Sequence, residues 1–258
     1  MRAVIIYLIC LLVYGGDSYA QYESKKAYVG ISIGPSVGVG DFGSSDFNLE
    51  SAGFASTGFD INLNFAYRIT SNFGFAAMIM IQSNPFDDKS FLEGFKSQTR
   101  YNNGATLNFI SVEANSWGMV SFMPGLFASI PIDSRGKIII EPRGHFGLIT
   151  AVSPYIKTTF REANRTEYLE QANGVGFGLG YSFGGGMRYN LSDRMALLLN
   201  ADYLKTNPKF LDVTFTDSRQ GTYLISFQQK MEVVNVSVGL AIRFKKDRPP
   251  IRIKLERD

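Results

Sequence analysis

From Phe59 to Thr70 the chain alternates strictly. Phe59, Ile61, Leu63, Phe65, Tyr67 and Ile69 fall on one parity, and Asp60, Asn62, Asn64, Ala66, Arg68 and Thr70 on the other. Successive side chains of a strand point to opposite faces, so this period predicts a β-strand with one apolar face and one face of small polar and charged groups. The pattern returns near the C-terminus, where Val234, Val236, Val238, Leu240, Ile242 and Phe244 oppose Asn235, Ser237, Gly239, Ala241 and Arg243.

A soluble β-sandwich alternates too, and lysine separates the cases. Soluble sheets place Lys on exposed faces and edges, whereas a charge on a lipid-facing strand costs roughly 2–4 kcal/mol at the bilayer midplane. Every lysine, from Lys25 to Lys254, falls outside the segments read as strand cores. The polar strand faces are instead Gly, Ala, Asn and Ser with a few Arg, Asp and Glu, a composition suited to a narrow closed interior. The expected fold is all-β, an eight-stranded antiparallel up-and-down transmembrane β-barrel.

The expected strands are Tyr28–Val39, Phe59–Ile69, Phe73–Ser83, Gly118–Ile130, Lys137–Ile149, Val175–Asn190, Met195–Tyr203 and Met231–Phe244. Their connections alternate short and long, as in barrels with short periplasmic turns and long extracellular loops. Turn residues such as Asn84-Pro85 and Asn207-Pro208 mark the long connections as loops. The segment Asn84–Trp117 is the longest, and an additional hairpin there would make ten strands, the alternative count.

Residues 1–20 read as a signal peptide: Arg2, an apolar run from Ala3 to Tyr14 too short to span a bilayer as a helix, and the small-residue end Ser18-Tyr19-Ala20. Cleavage after Ala20 leaves a barrel over 21–244 and a short basic periplasmic tail over 245–258. The formal net charge is +3, and the six Lys/Arg and three Asp/Glu of Lys245–Asp258 account for all of it. No basic stripe with interleaved aromatics points to nucleic acid. The sole cysteine, Cys10, lies in the signal, so the mature chain has no disulfide framework and no thiolate metal site.

The run Gly174–Gly186, GVGFGLGYSFGGG, places glycine on alternate residues of a strand rather than at the first, third and sixth positions of a nucleotide fingerprint. No cofactor is expected. One face of this sixth strand is nearly bare, leaving room for Glu141, Arg143 and His145 of the fifth, with a break in alternation around Pro142–Gly144. With Asp60, Arg68, Arg188, Asn200, Asp202 and Arg243 these side chains form the expected lumen network, because charges held away from water need partners.

The signal segment, the Gly-aromatic strand leading into Met187-Arg-Tyr-Asn-Leu-Ser-Asp-Arg194, the run Phe122–Ile132 turning into Ile138–Arg143, and the closing strand ending on Phe244 carry a resemblance. Together they resemble the small outer-membrane β-barrel families of Gram-negative bacteria. The resemblance covers about Tyr28 to Phe244 and implies residence in the outer-membrane lipid bilayer. The aromatic terminal strand resembles the signal read by the outer-membrane assembly machinery, the partner implied during biogenesis; here fourteen residues, Lys245–Asp258, follow it.

Eight strands leave an interior just wide enough for side chains. The expected function is therefore a structural or surface-binding scaffold, plugged by side chains and meeting an extracellular ligand through its long loops. The alternative is a narrow channel or transporter for a small or apolar solute. A lipid-modifying enzyme would depend on His145, the only histidine, with Glu141 and a serine, but no nucleophile motif surrounds it, so no enzymatic activity is expected.

Overall fold

The computed structural model describes residues 25–102, 108–162 and 165–245. The expected signal peptide, and the expected tail beyond Lys245, lie outside the described residues. The strands are β1 (Lys25–Gly38), β2 (Gly58–Arg68), β3 (Phe73–Pro85), β4 (Asn108–Ala114), β5 (Ser116–Ala128), β6 (Ile130–Pro131) and β7 (Ile138–Val152). They continue as β8 (Ile156–Glu162), β9 (Arg165–Gln171), β10 (Val175–Asn190), β11 (Met195–Thr206), β12 (Lys209–Asp217), β13 (Gly221–Gln228) and β14 (Met231–Lys245). One helix, α1 (Asp88–Asn102), precedes β4.

Eight strands close a barrel. β1 pairs with β2 and with β14; β3 joins β2 to β5; β7 joins β5 to β10; and β11 returns β10 to β14, every pairing antiparallel. Closure removes the free sheet edges that a half-polar strand would otherwise expose. The turns at one end are tight. Thr70 Oγ1 accepts from the N–H of Phe73, Ser192 Oγ from that of Met195, and Asp133 Oδ1 from that of Ile138 at 2.7 Å.

The dyad sorts the faces. Ile31, Ile33, Phe65, Phe122, Leu148, Phe177, Val236 and Val238 are exposed around the outside, while Ser32, Asn62, Asn64, Ser121, Asn235 and Ser237 are buried within. An apolar belt this continuous on a closed barrel is a membrane-facing surface. The molecule is thus an outer-membrane-type β-barrel. Among the described residues no helix is long and apolar enough to cross a membrane.

Several expectations need correction. β1 begins at Lys25, β7 runs on to Val152 and β11 to Thr206, so Lys205 lies within a strand, where its Nζ meets Glu232 Oε1 at 2.6 Å near the loop end. The anticipated break around Pro142–Gly144 does not occur, because the β7–β10 register passes through Pro142 without a shift. Asn84–Trp117 adds no barrel strands. It folds into α1 and β4, and β4 pairs with β8 beyond the barrel.

The long connections are also more than loops. β12 continues the barrel wall outward from β10 at Gly176↔Phe210, β9, β8 and β4 follow in turn, and β13 takes the other edge of β12. In β9, RTEYLEQ, both parities are largely polar, so the alternation that marks the barrel strands is missing there.

Candidate functional site

The barrel interior is built in two layers. Toward the short turns it is polar and charged. Arg143 of β7 donates from Nε to Asp202 Oδ1 of β11 at 2.9 Å and from its second nitrogen to Oδ2, and its Nη1 reaches Asn64 Oδ1 at 3.4 Å. Two residues along β7, Glu141 accepts from Arg188 Nε of β10 at 3.1 Å and from the Tyr28 hydroxyl of β1 at 2.8 Å, while the Arg188 guanidinium lies 5.2 Å from the Tyr28 ring centroid. Both ion pairs are almost wholly buried, so each charge depends on its partner rather than on water.

The other expected lumen residues are placed as follows. Arg68 and Arg243 line a small space of about 10 Å³ at the turn end together with Tyr28, Glu141 and Arg188. Asn200 donates to Ser32 Oγ at 3.1 Å. Asp60 is fully buried, and its carboxylate accepts from the Asn62 amide. His145 stands opposite Ser182 in the β7–β10 register, but neither its Nδ1 nor Ser182 Oγ has a hydrogen-bond partner.

The bare face of β10 is filled differently from the expectation. A Cβ at Gly184 would meet Asp202, and one at Gly186 would meet Asn200 Oδ1 at 2.7 Å with Arg143 Nη1 at 3.8 Å. Nearer the loops it is Ile149 and Phe210 that occupy the space, over Gly180 and Gly176. His145 and Glu141 are not among these neighbours.

The second layer, toward the long loops, is dominated by an apolar cluster that shares its level with buried Asp60, Gln82, Ser36 and Asn84. Met80, Met119, Ile149, Leu204, Phe210, Met231 and Val233 pack with Trp117 and with Phe42, which the first long connection folds inward until it is completely buried. Trp117 crosses Phe42 edge-on at 5.7 Å and Phe210 at 6.1 Å, and its indole N–H donates to the Gly53 carbonyl at 2.8 Å. No alternation in the sequence marks this plug. In stretches such as Ala76–Ile81 and Leu197–Leu199 both parities are apolar, and the alternation that marks an inner face disappears.

Above the plug lies a groove of about 880 Å³, walled by Phe47, Phe54, Phe86, Phe91, Trp117 and Phe227 with Leu49, Ile156 and Ile225, and rimmed by Gln171, Gln228, Gln229 and Ser226. One wall is the first long connection braced by α1. Phe47 meets Phe91 at 5.3 Å and Phe95 at 5.5 Å, and Phe54 meets Phe91 at 5.2 Å. Asp87 caps the helix: Oδ1 accepts from the N–H of Ser90 at 3.1 Å and Oδ2 from the Ser45 hydroxyl at 3.1 Å. These bonds, with the Ser90 hydroxyl foremost, hold the Asp87 carboxyl below the usual carboxylate range. In the sequence the pair Asp87-Asp88 reads as solvated charge in an exposed loop; in the structure Asp87 is a helix cap. The opposite wall is the β12–β13 hairpin, where Phe210 stacks on Phe227 at 4.9 Å.

A closed barrel with an apolar belt, a plugged lumen and a structured cap places the protein in the class of small outer-membrane β-barrels. Among solved structures it is similar to a major outer membrane protein of Thermus thermophilus, at a TM-score of 0.47 and 11% identity, covering 84% of this chain and 99% of that one. It is also similar to OprG of Pseudomonas aeruginosa, at 0.40 and 12%, covering 86% and 98%. A third likeness is to Ail, the attachment invasion locus protein of Yersinia pestis, at 0.38 and 13%, covering 85% and 99%. No protein-family model matches the chain, and no curated protein does.

Proposed function

We propose that the protein is a closed outer-membrane barrel whose cap binds the apolar part of an external ligand. The groove carries this reading. About 880 Å³ falls within the range of small-molecule sites, and aromatic walls with a few amides at the rim are the composition such sites use. Among the described residues Glu50 is the only charged one along it, which suits a neutral ligand better than an ionic one. Below the groove, the methionine-rich layer and the two buried ion pairs leave the lumen filled, so the barrel acts as a scaffold presenting its cap.

The chain contains a single tryptophan, and Trp117 lines the groove, so binding has an intrinsic reporter. A neutral apolar dye such as phenylnaphthylamine, added to the protein in lipid nanodiscs, is expected to quench Trp117 emission saturably. Phe91→Ala and Phe227→Ala should weaken that response several-fold. Linear quenching identical in wild type and both variants would remove the groove as a site. A passage for small apolar solutes is the second reading, favoured by the flexible methionines beneath the groove, which could repack around a solute. It predicts that uptake of the same dye into cells follows production of the protein.

A further inference from the structure

Of the carboxylates inside the barrel, Glu141 is held by Arg188 and Asp202 by Arg143. Asp60 has neither an arginine nor a lysine among the described residues; one oxygen accepts from the Asn62 amide, and Oδ1 accepts nothing. The charge that bears on it is the carboxylate of Asp202, which is of the same sign. A fully buried carboxylate with one hydrogen bond and a like-charged neighbour is an unstable arrangement by itself.

Its surroundings share the deficit. Asn62 Oδ1, Asn235 Oδ1 and both polar atoms of Gln82 also have no hydrogen-bond partner, and all three residues are at least 98% buried. The register gathers them. Asp60 stands opposite Gln82, and Asn62 opposite Met80, on β2 and β3. Asn235 of β14 reaches across to Met80 Sδ at 3.7 Å, and Asn62 Nδ2 comes within 3.5 Å of Ser237 Oγ, also on β14. The intervening strand offers Gly34 opposite Asp60, with no side chain to separate them.

We propose that Asp60, Asn62, Gln82 and Asn235 bind one hard monovalent cation of the sodium class inside the barrel. Oxygen donors without thiolate or imidazole select hard cations. A single carboxylate with neutral amide oxygens balances one positive charge, whereas a divalent ion would leave an excess charge in a medium of low dielectric. The shell proposed is one carboxylate with three amide side chains; no group of three or more His, Cys, Asp or Glu able to hold a metal ion occurs among the described residues. The site lies beside the methionine layer, and the cation is enclosed as the barrel closes.

The test is reversible unfolding by urea in phosphocholine vesicles, in sodium, potassium, calcium or choline chloride at matched ionic strength, read by heat-modifiable gel migration. A ligand specific for the folded state raises the folded-to-unfolded ratio by about elevenfold at ten times its dissociation constant. Sodium is expected to stabilise wild type over choline, and Asp60→Asn to abolish the difference. Sodium NMR linewidths should broaden with folded wild type and not with the variant. Should Asp60→Asn fail to fold, Gln82→Leu is expected to reduce the sodium response. Equal stability in sodium and choline, stabilisation by calcium alone, or a sodium response retained in the variants would each overturn the proposal.

Discussion

Arg143 carries one of the two buried ion pairs of the lumen, since its guanidinium holds Asp202 and reaches Asn64 from a buried position. Arg143→Ala leaves the Asp202 carboxylate buried without its partner, at a cost of about 3–5 kcal/mol. Arg161, exposed on β8 in the cap, has no comparable duty, and Arg161→Ala should change stability by no more than about 0.5 kcal/mol. Urea unfolding of both variants in vesicles separates them; equal midpoints would mean that the ion pair is dispensable. Asp87 makes a smaller and local contribution. Asp87→Ala should cost α1 about 1 kcal/mol, read as lost amide protection in the helix while the barrel is unchanged. Because its carboxyl is held below the ordinary range in the folded state, its contribution is present above the ordinary carboxylate value of about 3.9 and is lost as pH falls through the folded value. Protection of α1 should therefore drop with acid in wild type, and in Asp87→Ala should lack that component.

At the scale of the element, β10 shows how much a strand's pattern reveals and where it stops. Alternate glycines told correctly that one face is bare, but the occupants were split between charged side chains at one end and Ile149 and Phe210 at the other. Phe210 comes from β12, whose residues fall in an expected loop. A Cβ at Gly180 would lie 2.3 Å from Ile149 Cδ1 and 2.8 Å from the Lys205 carbonyl, so Gly180→Ala should cost about 1–3 kcal/mol through overpacking. Gly144 faces outward on β7, and a Cβ there would meet nothing nearer than the Ser182 carbonyl at 4.0 Å. Gly144→Ala should leave the unfolding midpoint in place; parallel losses in the two variants would contradict the assigned faces. The barrel strands were legible because lipid on one side and a narrow lumen on the other impose a strict period of two. The cap strands and α1 were not, since the outer surface of a cap meets water and tolerates polar residues on either parity.

For the molecule as a whole, the layers stack along the barrel axis as charged pairs, apolar plug, aromatic groove. The first is visible in the sequence as charges on polar strand faces, at Glu141, Arg143, Arg188 and Asp202. The plug and groove are not, because Met80, Met119 and Trp117 look like lipid-facing apolar residues until the register shows them pointing inward. On the proposed reading, filled layers of this kind make the barrel a platform for its cap rather than a pore. Planar-bilayer recording of the purified wild-type protein tests that claim most directly. The filled lumen predicts a quiet baseline at all applied voltages, and reproducible unitary current steps would contradict it.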